Sequence, residues 1–165
     1  MYQEEGQKNI IQQEQIYILK FQNSNNTEEE IIINERIMKQ LEPVKNAVQN
    51  QGIDEKIFYF HPNQQFNPDI YKILQEYIDI HKNDEIIQNQ QQQEQVFCFS
   101  KKLENIISER DYTLMHTLKR QQLQDLACLA EYLMYNALVD LIMKIILFYL
   151  AGKNQEQITR WLQSD

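Results

Sequence analysis

The chain has 165 residues, a net charge of −8 at pH 7 and a pI near 4.9. This length suits one domain with its own core, and the acidic balance argues against a nucleic-acid-binding surface, which is normally basic. Cys98 and Cys128 are isolated thiols without disulfide or metal spacing, and the polar residues 1–5 do not resemble a secretory signal. We therefore expect an intracellular protein, in the cytoplasm, the nucleus or both.

The first half of the chain is predicted to form a small sheet with helices. Residues 1–14 are mostly polar and predict a flexible tail. Three predicted strands share β-branched and aromatic residues next to turn-forming residues, the first two as a hairpin: 16–21, 30–33 and 56–60. Three predicted helices begin at a cap or a proline: 34–41 with Asn34 as cap, 43–52 and 68–81.

The middle of the chain gives weaker signals. Residues 83–95 are charged and rich in glutamine, which predicts a solvated loop. Residues 96–99 fit either a brief strand or an apolar anchor. Residues 103–118 predict a helical stretch of weaker pattern.

The last forty residues are more apolar than an isolated domain requires. An amphipathic helix is predicted at 123–133, followed by a tight joint at 134–136 with Asn136 as cap, and by a second helix at 137–150. In this second helix only Asp140 and Lys144 are charged. Because its apolar run is too short to cross a membrane, we expect a protein partner to cover one face. Gly152 ends this helix, and a capping box of Asn154 and Gln157 starts a last one through Leu162.

Two runs of the chain have the residues and spacing of a known family. Residues 152–158 read GKNQEQI and are preceded by Tyr132-Leu133, Leu138, Asp140, Lys144 and Ile146, and residues 78–84 read IDIHKND. The first run resembles, without a gap, N-Y-L-D-I-K-G-L-L-D … G-K-T-P-E-E-I of the Skp family, and the second resembles the same family's H-H-K-D-D. Skp proteins are the adaptors of SCF ubiquitin ligases and have a BTB/POZ fold with a helical extension. The resemblance implies an α+β chain. Its parts would be the tail at 1–14, a BTB/POZ domain with a small three-stranded sheet at 15–135, and a helical extension at 136–165.

The resemblance also implies a function in ubiquitin-dependent protein degradation without catalysis. Skp adaptors bind an F-box-type protein with the extension and a cullin with the BTB portion. The expected partner-binding residues are those on the outward sides of the last two helices: Val139, Met143, Ile146, Leu150, Ile158, Trp161 and Leu162. The residues expected to face the domain's own core are Leu138, Ile142, Ile145 and Tyr149. Alternatively, the outward residues of the apolar helix pack against 103–118 or the N-terminal tail.

Departures from the family pattern put cullin binding in doubt. The residues expected to face a cullin are Glu131, Tyr132 and Met134, and the family has Asn and Asp at the first and last of these positions. The family's tryptophan-aspartate motif is missing, and the resemblance stops after one extension helix. The second hypothesis is therefore a structural Skp-like subunit of a large cytoskeletal or ciliary assembly, which keeps the F-box-type partner and has lost cullin binding.

No sequence pattern indicates an enzyme. His61, His81 and His116 lie in unrelated contexts, without an accompanying carboxylate pair, nucleophile motif or metal-ligand spacing. With three glycines in the chain, a phosphate-binding loop is hard to build. We expect the histidines at surface or boundary positions, and we expect no cofactor and no metal.

Overall fold

The computed structural model describes residues 15–22, 28–50, 56–84 and 102–163. Within these ranges the chain is a mixed α+β structure with one three-stranded sheet and seven α-helices. The strands are β1 (Ile16–Gln22), β2 (Glu28–Asn34) and β3 (Ile57–Phe60). The helices are α1 (Glu35–Met38), α2 (Glu42–Asn50), α3 (Pro68–His81), α4 (Glu109–Met115), α5 (Arg120–Tyr132), α6 (Asn136–Leu150) and α7 (Gln155–Gln163).

The sheet has the order β2-β1-β3. β1 pairs antiparallel with β2, where Leu19 lies opposite Ile31, and parallel with β3, where Leu19 lies opposite Phe58. The predicted hairpin and third strand are confirmed, while the turn at 23–27 lies outside the described residues. Alternate residues of β1 and β2 point into the core because side chains alternate across a strand: Tyr17, Leu19, Phe21, Ile31 and Ile33 are buried.

Helix α3 packs against β2 and supplies much of the core of the first half. Its predicted bounds are confirmed, because Asn67 caps the helix by accepting a 3.0 Å hydrogen bond from the Asp69 amide and Pro68 occupies the first turn. Six side chains on one side of α3 are buried: Ile70, Tyr71, Ile73, Leu74, Tyr77 and Ile78.

The helical stretch predicted for 103–118 is two separate elements. A single 3₁₀ turn spans Leu103–Asn105, and α4 begins after Ser108. The hydroxyl of Ser108 accepts a hydrogen bond from the Asp111 amide at 3.1 Å, which starts a new helix at this point.

A left-handed residue makes the joint between α5 and α6. Met134 has a φ of 50°. The amide of Tyr135 donates to the backbone carbonyl of Ala130 at 2.8 Å, and the amide of Met134 donates to the backbone carbonyl of Glu131 at 2.9 Å. These two bonds are the Schellman pattern, in which the left-handed position is usually glycine. The prediction that Asn136 caps α6 is wrong, since Tyr135 is the cap residue and Asn136 the first residue of the helix.

Other predictions lie outside the described residues. These are the N-terminal tail, the glutamine-rich loop beyond Asp84 and the segment 96–99. Among the described helices, none has the length and apolar character needed to cross a membrane.

Candidate partner interface

One side of α6 is buried in the domain. Leu138, Ile142 and Ile145 have no exposed surface, and Leu141 is 8% exposed. Their spacing of three and four residues places them on one side of the helix, which packs chiefly against α5. The residues expected to face the core are therefore buried, except Tyr149, which is half-buried.

The opposite side of α6 is apolar and accessible. We define the α6 stripe as the apolar residues that lie within about 100° of arc on this side: Val139, Met143, Ile146, Leu147 and Leu150. Met143 is 47% and Leu147 is 51% exposed, and the other three are half-buried. Leu147 was not among the predicted partner-binding residues, although its position four residues after Met143 indicates the same side.

Met143 and Leu147 remain about half-exposed, so packing of this stripe against 103–118 does not cover them. The other alternative, packing against the N-terminal tail, lies outside the described residues. Fully burying a side chain of this size stabilises a complex by about 1.5–3 kcal/mol relative to leaving it in water. The α6 stripe can therefore contribute substantially to binding.

Helix α7 lies near the end of α6 but buries none of its described residues. It begins with the predicted capping box, in which the amide of Gln157 donates to Asn154 Oδ1 at 2.9 Å and the amide of Asn154 donates to Gln157 Oε1 at 3.0 Å. The ring of Trp161 stacks on Tyr149 with a centroid distance of 6.3 Å. Of the predicted residues on α7, Ile158 and Trp161 are half-buried and Leu162 is 48% exposed.

The end of α5 presents a second accessible surface. Glu131 is exposed, Tyr132 is 40% exposed and Met134 is 56% exposed. The ring of Tyr132 also contacts Phe60 of β3 edge to face, at 6.0 Å between centroids. Because Met134 holds a left-handed conformation that costs a non-glycine residue about 1 kcal/mol or more, its side chain projects from a strained joint.

The outer face of the sheet was not predicted as a surface of interest. It carries four exposed apolar residues: Ile16, Ile32, Ile57 and Tyr59. A sequence signal existed, because 16–18 and 31–33 are apolar on both faces of their strands. Next to them, Lys20 forms ion pairs with Glu28 at 2.6 Å and Glu30 at 2.8 Å.

A polar cluster ties the end of α3 to the start of α4. His81 Nδ1 lies 2.7 Å from Asp84 Oδ2, and His81 Nε2 lies 2.8 Å from Asp111 Oδ1. The hydroxyl of Ser108 donates to Asp111 Oδ2 at 2.7 Å, and Arg110 Nη2 lies 3.2 Å from Asp84 Oδ2. The sequence analysis expected no carboxylate pair beside the histidines, whereas the fold places Asp84 and Asp111 on the two nitrogens of His81. Asp111 left no local signal because it lies 30 residues away in sequence.

The geometry requires both nitrogens of His81 to donate, since each faces a carboxylate. Burial lowers the pKa of His81, but hydrogen bonds and charge interactions with Asp111 and Asp84 outweigh it, so the pKa is raised above its usual 6.5. Burial likewise raises the pKa of Asp111, and its bonds to His81 and Ser108 reverse this and lower it below 3.8. With both nitrogens engaged, His81 has no free nitrogen to act as a base toward Ser108.

The two carboxylates lie on opposite sides of the imidazole and do not converge on one point. In the described part of the chain, no group of three or more His, Cys, Asp or Glu side chains is arranged to hold a metal ion.

Comparison with known proteins gives no assignment: no protein-family model matches the sequence, and no curated protein is significantly similar to it.

Proposed function

We propose that this chain is a non-enzymatic, Skp-like adaptor with a BTB/POZ domain and a helical extension, and that it binds an F-box-type protein through the α6 stripe. The observation that supports this most strongly is the contrast across α6. Ile142 is fully buried, whereas its neighbour Met143 and Leu147 are about half-exposed. A helix that is apolar on both sides needs a second cover.

The family resemblance supports the chemical class of the partner. The matching run of residues covers α6, which carries the exposed Met143 and Leu147, and the start of α7. The three-stranded sheet combined with helices is compatible with a BTB/POZ domain. An intracellular location, in the cytoplasm or nucleus, is part of the same proposal.

The test is co-expression with a panel of F-box domains, followed by co-purification. The native chain should retain at least one F-box domain. Met143→Asp should abolish this, because it would bury an unpaired carboxylate in the interface. Thr113→Asp adds the same charge at an exposed position of α4 and serves as the control. Retention of every partner by Met143→Asp would remove the F-box assignment.

A second candidate function is a structural Skp-like subunit of a cytoskeletal or ciliary assembly that does not bind a cullin. The surface formed by Glu131, Tyr132 and Met134 favours it, since an exposed charge and an exposed methionine stand where the family has Asn and Asp. An unmatched charge in an interface costs about 2–5 kcal/mol when it is buried.

Cullin binding is scored separately from F-box binding. On the second function, a cullin N-terminal domain should bind the native chain weakly, and the double variant Glu131→Asn, Met134→Asp should bind it more tightly. Equal, tight binding by both proteins would instead favour the ligase adaptor.

A further inference from the structure

Arg120 connects α5 to α7 through Trp161, a residue 41 positions away in sequence. It is the first residue of α5, and its Nη1 donates a 2.7 Å hydrogen bond to the backbone carbonyl of Trp161 in the last turn of α7. A bond this short from a guanidinium is a charge-assisted one. Arg120 therefore links the start of α5 to the end of α7.

The charge of Arg120 is poorly placed for its own helix and well placed for α7. The N-terminus of a helix carries partial positive charge, which disfavours a cation, whereas the C-terminus carries partial negative charge and carbonyls without helical partners. Moreover, Arg120 Nε is buried and finds no hydrogen-bond partner among the described residues, which is an unfavourable arrangement. The bond to Trp161 accounts for an arginine at this position.

Trp161 receives a second contact within the chain. Its ring stacks on Tyr149 while its carbonyl accepts from Arg120. The connection from α6 to α7 contains Gly152 at a φ of 73°, a left-handed conformation that glycine adopts readily. No described residue of α7 is fully buried, and these two contacts at Trp161 join α7 to α5 and to α6.

We propose that Arg120 is a positioning residue that holds α7 against the α5–α6 pair before a partner binds, and so gives the exposed Leu162 a fixed place relative to α6. The consequence for affinity rests on the proposed partner-binding function. A helix that is already in position does not have to be ordered during binding, and ordering a segment weakens affinity.

The tryptophan fluorescence of the isolated chain tests this directly, since Trp161 is the only tryptophan. In Arg120→Met the emission should shift to the red and quenching by acrylamide should increase. Acrylamide is uncharged, so the loss of one cation does not change its concentration near the protein. Arg120→Lys should give an intermediate result, because lysine can still donate to the carbonyl. The measurements are made at a concentration where the chain is monomeric, with circular dichroism to confirm folding.

Arg160→Met is the matched control, because Arg160 is exposed on α7 and its ion pair, at 3.6 Å, is with Glu156 of the same helix. It should leave Trp161 fluorescence unchanged. Trypsin cleavage at Lys153, between α6 and α7, gives an independent measurement and should be faster in Arg120→Met than in Arg160→Met.

The outcomes separate this proposal from the partner-binding function. If Arg120→Met has the same tryptophan fluorescence and the same rate of trypsin cleavage as the native chain, the positioning role is overturned, whether or not the chain binds a partner. If α7 is released in this variant, affinity for a retained F-box domain should fall about three- to tenfold. Unchanged affinity would overturn the link to partner binding, and failure of the native chain to bind any F-box domain would count against the proposed function alone.

Discussion

Helices α3 and α6 have nearly the same length, 14 and 15 residues, but present different surfaces to water. Each buries one side in the domain. On its other side α3 exposes Lys72, Glu76 and Asp79, whereas α6 exposes Met143 and Leu147. The chain therefore contains an ordinary water-facing helix, and the apolar outward side of α6 is a local feature that calls for a local explanation.

The C-terminal ends of α3 and α6 also differ in polarity. α3 ends in charged hydrogen bonds, because His81 meets Asp84 and Asp111. α6 leads into a helix attached through an aromatic stack and one arginine, both at Trp161. The first end is tied to its neighbour by directional polar contacts, while the second leaves accessible apolar surface.

The largest expected effect distinguishes the two sides of α6. Ile142→Asp places a carboxylate where no surface is exposed and should destabilise the fold by about 4 kcal/mol or more. Met143→Asp should change the free energy of unfolding by only about 0.5 kcal/mol. Urea denaturation of both variants is the measurement. Equal destabilisation would show that Met143 belongs to the core and that α6 is no different from α3.

Self-association of the isolated chain is the second expected effect. Because Met143 and Leu147 face water, the chain without a partner should form larger species and bind a hydrophobic dye. Light scattering on the native chain and on Met143→Lys, Leu147→Lys measures this, and the double variant should be monomeric. A monodisperse native chain without dye binding would contradict the interpretation of the α6 stripe.

A smaller effect is expected for Trp161→Ala, which removes the largest side chain of α7. If a partner contacts this helix, its affinity should fall by about 2 kcal/mol, as for an aromatic hot spot. Isothermal titration with the partner measures it, and Leu162→Ala should cost less. The prediction fails if Trp161→Ala binds the partner like the native chain, since Trp161 would then contribute to binding neither by direct contact nor by positioning α7.

The smallest effect is the pH dependence at the end of α3. The pKa of His81 is raised, so its contribution to stability is complete below 6.5 and is lost as the pH rises through the folded-state pKa. The pKa of Asp111 is lowered, so its contribution is present above 3.8 and is lost as the pH falls through its folded-state pKa. Together, His81 and Asp111 stabilise the folded state most between pH 3.8 and pH 6.5.

The urea midpoint of the native chain should therefore decrease when the pH is raised from about 6 to about 8.5. The fall should be smaller in His81→Gln than in His61→Gln, the control, in which an exposed histidine is replaced. The same slope in both variants would show that His81 is not the responsible group.

The sequence predicted elements whose signals are local. Pro68 marks the start of α3, and the capping pair Asn154 and Gln157 marks the start of α7, so both positions were predicted correctly. The cap of α6 was misassigned because Met134 takes a position normally marked by glycine. The break inside 103–118 was missed because the capping signal of Ser108 was overlooked.

The candidate site was predictable only in part. Helical spacing separated the buried and accessible sides of α6, but reliance on the family match omitted Leu147. Contacts between distant residues left no sequence signal, as in the bond of Arg120 to Trp161 and that of His81 to Asp111. Their donors and acceptors lie on elements whose relative placement is decided by packing.

The pairing of α6 with α5 also bears on how the chain folds. Its buried side packs chiefly against the helix that immediately precedes it, so this contact closes a short loop and can form quickly. The sheet needs slower pairing, because β3 lies parallel to β1 and joins it from about 40 residues further along the chain. The α5–α6 pair, with its apolar outward side, can therefore form during folding without waiting for the sheet.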